Sequence, residues 1–139
     1  MNETSVLKLE KVSKAHGKLN QTSVKVFCDI NFELKLGEIV GLLGPSGSGK
    51  SSLLHISGLL DRPNSGEVYV LDNPVSGLSE FKRTALRRDT IGFVYQFNNL
   101  LPEFNALENV LLPQLIAGVK HDMALKRSKN LIEKVGLGA

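Results

Sequence analysis

Apolar and polar positions alternate along the first third of the chain. In residues 6–12 (VLKLEKV) apolar residues interleave with Lys8, Glu10 and Lys11, and this period of two predicts a strand with one buried face. The polar stretch that follows, KAHGKLNQTS, reads as a loop. Val24, Val26, Cys28, Ile30, Phe32, Leu34 and Leu36 then recur at every second position, the clearest β pattern in the sequence, and Gly37 ends it. Residues 38–43 bring a short apolar run, IVGLL, of the kind expected for a strand covered on both faces in a parallel sheet.

Helical spacing takes over at 50–60, where Leu53, Leu54, Ile56 or Ser57, and Leu60 recur at helical steps and Gly58 weakens the last turn. DRPNSG is a turn, and 67–71 is another short strand. Ser79 is placed to cap a helix through FKRTALRR, and 91–95 returns to strand. Asn105 with Glu108 three residues on forms a capping box, opening a helix that Pro113 is expected to bend or break. A last helix starts at Asp122, with Leu125, Ser128, Leu131, Ile132 and Val135 on one broad face and Gly136 as a stop.

Composition changes this picture little. The 139 residues are 42% hydrophobic and 22% charged, as in ordinary globular domains, so a packed core is expected. The net charge of +3 comes without a basic run suited to nucleic acid, and no nucleic-acid partner is expected. Lys82, Arg83, Arg87 and Arg88 form the densest basic cluster and read as a solvated helix face. Cys28 stands alone, which leaves no internal disulfide or cysteine zinc site and points to a reducing cytoplasmic setting with Cys28 filling space in a strand. No stretch approaches the ~18 apolar residues of a membrane span, so any membrane contact is expected to be peripheral.

The chemistry sits between the third apolar run and the first helix. Residues 44–51, GPSGSGKS, follow the spacing Gly, four positions, Gly, Lys, Ser, after a predicted strand and before a helix. Gly44, Gly47 and Gly49, with Pro45, Ser46 and Ser48 between them, let backbone N–H groups turn inward around a polyanion. Lys50 is suited to the β- and γ-phosphates of a nucleoside triphosphate, and the Ser51 hydroxyl to magnesium. Ser52 falls at the helix N-terminus, where unpaired N–H groups and the helix dipole favour the α-phosphate. A Gly/Ser linker would not require Lys and then Ser at this step. The loop alone is compatible with kinases, GTPases, helicases and transporters.

Two further segments narrow that choice. SSLLHISGLLDRPNSGEVYV and IGFVYQFNNLLPEFNALENVLLP strongly resemble the ATP-binding subunits of ABC transporters, with lipoprotein-releasing systems the nearest branch and macrolide-export and cell-division systems next. The resemblance implies an α/β P-loop NTPase fold: a central sheet carrying the phosphate loop, an antiparallel β subdomain from the N-terminal strands, and the start of a helical subdomain after residue 97. It implies ATP and Mg²⁺ as ligands, integral membrane subunits and a second nucleotide-binding subunit as partners, and a place on the cytoplasmic face of the bacterial inner membrane. Gln96 becomes the Q-loop glutamine that senses the γ-phosphate and magnesium, a role its carboxamide fits because it both donates and accepts. Residues 97–112 resemble the part that receives the membrane subunit, although Phe97, Leu100, Leu101, Phe104 and Leu107, taken singly, read as core.

This sequence departs from the family pattern in two places. His16 stands where the family has an aromatic residue that stacks on adenine; a histidine stacks less extensively, or else serves as a solvated loop residue. The family's signature motif, Walker B aspartate, catalytic glutamate and switch histidine are not found within the 139 residues, and VYVLDN at 68–73 is rejected as a Walker B strand because it aligns with the antiparallel subdomain. The expectation is therefore an N-terminal portion of a longer protein that holds nucleotide and is deficient in hydrolysis alone. A non-catalytic interaction module is the competing reading. A soluble kinase or GTPase is disfavoured, since the GTPase motif NKxD is missing and Gln96 would go unexplained.

Overall fold

The computed structural model describes residues 4–16 and 24–138. The loop expected after the first strand falls largely on 17–23, outside the described residues. Two units divide the chain, residues 1–91 and residues 92–139.

The first unit is built on a four-stranded antiparallel sheet of order β2-β1-β3-β4, from β1 (Ser5–His16), β2 (Val24–Lys35), β3 (Ser65–Val70) and β4 (Asn73–Pro74). Helix α1 (Lys50–Ser57) and helix α2 (Glu80–Thr90) complete it. Leu9, Val12, Ile56, Leu59, Val68, Val70 and Val75 form the buried core, with Phe27, Ile30, Phe32, Leu53, Leu86 and Ile91 packed around it.

Bulges shift the alternation that the sequence suggested. Lys11 stands at φ 49 and Asp29 at φ 51, and the β1–β2 register slips beside both. An extra residue reverses which face the following side chains occupy. Leu9 and Val12 are consequently both buried although three positions apart, and in β2 the core takes Phe27 and Ile30 while Cys28 is exposed. Cys28 thus fills no space in the interior. The bulges are fastened locally: the Lys11 N–H donates to Asn31 Oδ1 at 3.0 Å and the Asp29 N–H to Ser13 Oγ at 2.9 Å. Gly66 lies against the first bulge at φ 87, where an added Cβ would stand 2.3 Å from the Lys11 carbonyl oxygen.

The apolar runs 38–43 and 91–95 are not strands. Neither has a ladder partner among the described residues, and a strand without one leaves its peptide groups unpaired. Ile39 and Val94 are fully exposed and Leu43 nearly so. β3 runs antiparallel to β1, and Asp72 lies exposed in the turn to β4, in keeping with the rejection of VYVLDN as a catalytic strand.

In the second unit, helix α3 (Ala106–Ile116) and helix α4 (His121–Lys134) pack together. The capping box forms as read: Asn105 Oδ1 accepts from the Glu108 N–H at 2.9 Å and the Asn105 N–H donates to Glu108 Oε2 at 2.8 Å. Pro113 does not break α3, which continues to Ile116. α4 begins at His121, and its buried positions are Ala124 and Ser128 rather than the larger Leu131 and Val135, which are exposed. These two small residues lie one turn apart and admit close approach, and Gln114 Nε2 of α3 donates to Ser128 Oγ at 2.7 Å.

Candidate nucleotide-binding site

Gly49 governs how the phosphate loop meets the sheet. It is the N-cap of α1 at φ 89, and a Cβ there would approach Val26 Cγ1 to 2.7 Å and Phe27 Cδ1 to 3.1 Å. Only glycine accepts both the left-handed backbone and the contact with β2. The Leu53 N–H donates to the Gly49 carbonyl at 2.9 Å, so the first helical turn begins directly from the loop. Helix α1 carries no acidic residue in its first turn and its N-cap has no side-chain oxygen partner. No acidic side chain of that first turn compensates the N-terminal dipole, an arrangement suited to a bound phosphate.

Lys50 bridges the loop. Its Nζ donates to the carbonyls of Gly44 at 2.8 Å and Pro45 at 2.7 Å, while the Ser48 N–H closes a turn onto Pro45 O at 3.3 Å. The ammonium is thereby held by two neutral acceptors, with no carboxylate partner among the described residues. Such a cation keeps its charge available for an anion.

His16 lines the same cleft as this loop. It ends β1, paired with Val24 at the start of β2. The cleft of about 410 Å³ is walled by His16, Val24 and Val26 on the sheet side and by Ser46, Gly47, Gly49, Lys50, Ser51 and Ser52 on the loop side. The separation in sequence between His16 and Lys50 is closed by the antiparallel β1–β2 pairing, which brings a flat ring to the mouth of a phosphate-shaped loop. Gln96 belongs to the second unit, exposed, just after Phe93 and Tyr95, whose rings stack at 5.6 Å between centroids. Among the described residues no group of three His, Cys, Asp or Glu side chains is arranged to hold a metal.

The basic cluster on α2 is not a solvated face. Lys82 and Arg88 are exposed, but Arg83 is only 4% exposed and both Arg83 and Arg87 turn toward the end of α1. Their spacing of four was the available signal, since it puts two guanidinium groups on one side of a helix. Asn109 was also missed: its Nδ2 donates to the carbonyls of Leu101, Phe104 and Asn105, and its Oδ1 accepts from the Leu101 N–H at 2.9 Å. One side chain thus pins the 101–105 loop onto α3. That loop carries Leu101 and Phe104, which with Phe97 and Leu100 are exposed rather than core.

The glycine loop, the helix it opens and the antiparallel sheet beside it define an ATP-binding cassette, and the chain belongs to the ABC transporter family, whose sequence profile matches residues 27–139. Among curated relatives, it is 50% identical to the lipoprotein-releasing system ATP-binding protein LolD of Gluconobacter oxydans over 99% of this chain and 61% of the relative. It is 59% identical to LolD of Maricaulis maris over 77% of this chain and 47% of that protein. The chain therefore spans about three fifths or less of the length of these relatives. Among solved structures, the ATP-binding cassette MJ0796, in a dimeric post-hydrolysis state bound to ADP and Pi, superposes with a TM-score of 0.81 at 38% identity, covering 91% of this chain and 56% of that one. The fold is thus that of a truncated ABC cassette, as expected, with the antiparallel subdomain and helices present, while the central sheet expected to carry the phosphate loop is not formed among the described residues. Among the described residues no helix is long and apolar enough to cross a membrane.

Proposed function

We propose that this chain supplies the nucleotide-holding part of an ATP-binding subunit in a lipoprotein-releasing ABC transporter. The observation that carries the proposal is the cleft in which His16 faces Gly49, Lys50, Ser51 and Ser52. Lys50 transfers its two carbonyl bonds to the β- and γ-phosphate oxygens, the loop N–H groups surround the β-phosphate, and Ser52 with the α1 N-terminus meets the α-phosphate. The Ser51 hydroxyl would hold Mg²⁺, which would supply neutralising charge to the phosphates. The His16 ring stacks on the base. Support for the nucleotide comes from the related cassette seen with ADP and Pi, and for the transport role from relatives of 50–59% identity that are named for lipoprotein release.

In the assembled transporter, Gln96 senses the γ-phosphate and metal through its carboxamide, two such subunits close over ATP, and the exposed Phe97, Leu100, Leu101 and Phe104 meet integral membrane subunits on the cytoplasmic face of the inner membrane. The 139 residues alone bind Mg-nucleotide but turn it over negligibly, a reading supported by a cleft lining that holds no carboxylate among the described residues. Steady-state phosphate release from purified chain is expected at the buffer background, and release at a multiple-turnover rate that is abolished by Lys50→Ala would overturn this part of the proposal. The exposed apolar loop also favours a second reading, a non-catalytic module that docks on a membrane subunit. Co-purification with that subunit in the Lys50→Ala variant distinguishes docking from nucleotide-driven association.

A further inference from the structure

The phosphate-loop helix is gripped at its far end by a second helix. Leu59, just beyond α1, is 2% exposed and stands at φ 58, a left-handed conformation that leucine rarely adopts. Its carbonyl accepts from Arg87 Nη1 at 2.7 Å and from Arg83 Nη2 at 3.1 Å, and the same Arg83 nitrogen donates to the Asp61 carbonyl at 2.8 Å. The Arg83 side chain is 5% exposed and its Nη1 reaches Glu80 Oε1 at 3.1 Å. Glu80 in turn accepts from Arg62 Nε at 3.1 Å and Nη2 at 2.8 Å, and Arg62 donates onward to the carbonyls of Ser76 and Leu78.

These bonds do more than fill a gap. A helix end carries partial negative charge, and two guanidinium groups at the C-terminal end of α1 complement it. The left-handed Leu59 closes α1 in a Schellman cap, with the Leu59 N–H donating to the Ile56 carbonyl at 3.0 Å and the Leu60 N–H to the His55 carbonyl at 2.8 Å, and the two guanidinium groups of α2 hold the carbonyl that this cap turns outward. α1 has eight residues and is therefore about 12 Å long, with the Gly49–Lys50 junction at one end and the Leu59 carbonyl past the other. A helix this short moves as one piece. A shift of its N-terminus around phosphate is carried to Leu59 and, through two charged hydrogen bonds, to α2, whose last residue is Thr90.

We infer that Arg83 and Arg87 are positioning residues that couple occupation of the phosphate loop to helix α2 through the Leu59 carbonyl. The inference rests on the proposed nucleotide site. Hydrogen exchange on the full 139-residue chain, with and without Mg-ADP, tests it alongside calorimetry of the same samples. Mg-ADP is expected to slow exchange at the α2 amides about fivefold in the unaltered chain, the low end of ordinary coupling between sites. In Arg87→Gln the nucleotide still binds while this slowing falls below about twofold, and Arg83→Lys, which keeps one charged donor, retains part of it. A merely structural cap would lower ligand-free stability in the variants yet leave the nucleotide-dependent difference intact, and that result overturns the inference. Bound nucleotide with unchanged α2 exchange in the unaltered chain also overturns it. Absence of binding in that chain overturns the nucleotide reading and the coupling with it, and calorimetry separates the two failures. Should Arg83→Lys fail to fold, Arg87→Gln, at a less buried position, decides the question.

Discussion

Glu67 shows how a single carboxylate holds a turn together. Burial pushes its pKa up, but hydrogen bonds to its carboxylate from the N–H groups of Ser76, Val68 and Val75 outweigh this and hold it below the ordinary glutamate value. Two of the backbone bonds, from Val68 and Ser76, are 2.9 Å long. Because the folded pKa is depressed, the stabilisation is complete above the unfolded value of about 4.3 and is lost as pH falls through the lower folded value. Glu67→Gln should therefore lower Tm at pH 7 while the gap between the two proteins narrows toward pH 3. A gap of constant size across that range would mean that the charge on Glu67 contributes nothing. At the same scale, Gly49 and Gly66 differ in what they protect. Gly49 keeps the phosphate loop against β2, whereas Gly66 keeps the start of β3 against a β1 bulge.

Among elements, α3 owes its start to two residues. Asn105→Ala removes the side-chain acceptor of the capping box and is expected to destabilise the second unit by about 1 kcal/mol, read as a lower unfolding midpoint in urea. A change smaller than about 0.3 kcal/mol would show that Asn109, which also bonds the Asn105 carbonyl, holds the helix start by itself. This helix was legible in the sequence because its signal is local: a cap, a partner three residues on and an apolar run. The β1–β2 hairpin was legible as two strands but not in phase, since the bulges at Lys11 and Asp29 arise from pairing between distant residues. The runs 38–43 and 91–95 were misread for a related reason. Periodicity reports that a segment is suited to burial between neighbours, whereas a strand exists only where a ladder partner lies beside it. Arg83 went unrecognised because charge is ordinarily exposed, and only the direction of the Leu59 carbonyl brings it inside.

At the scale of the whole molecule, the site combines a feature written in one stretch of sequence with one that is not. The loop at 44–51 announced itself by spacing, and its helix and glycine conformations follow from that spacing. The facing of His16 onto it depends on antiparallel pairing between β1 and β2, which no local pattern fixes. The family resemblance placed His16 at the base position, and the cleft brings it to the loop. Titration calorimetry with Mg-ATP tests this account most directly, on the unaltered chain and on Lys50→Ala. Binding of one nucleotide per chain is predicted, weakened at least about tenfold by Lys50→Ala because a charge-assisted phosphate contact of more than about 1.4 kcal/mol is removed. Equal affinity in the two proteins, or no heat of binding in the unaltered chain, would contradict it.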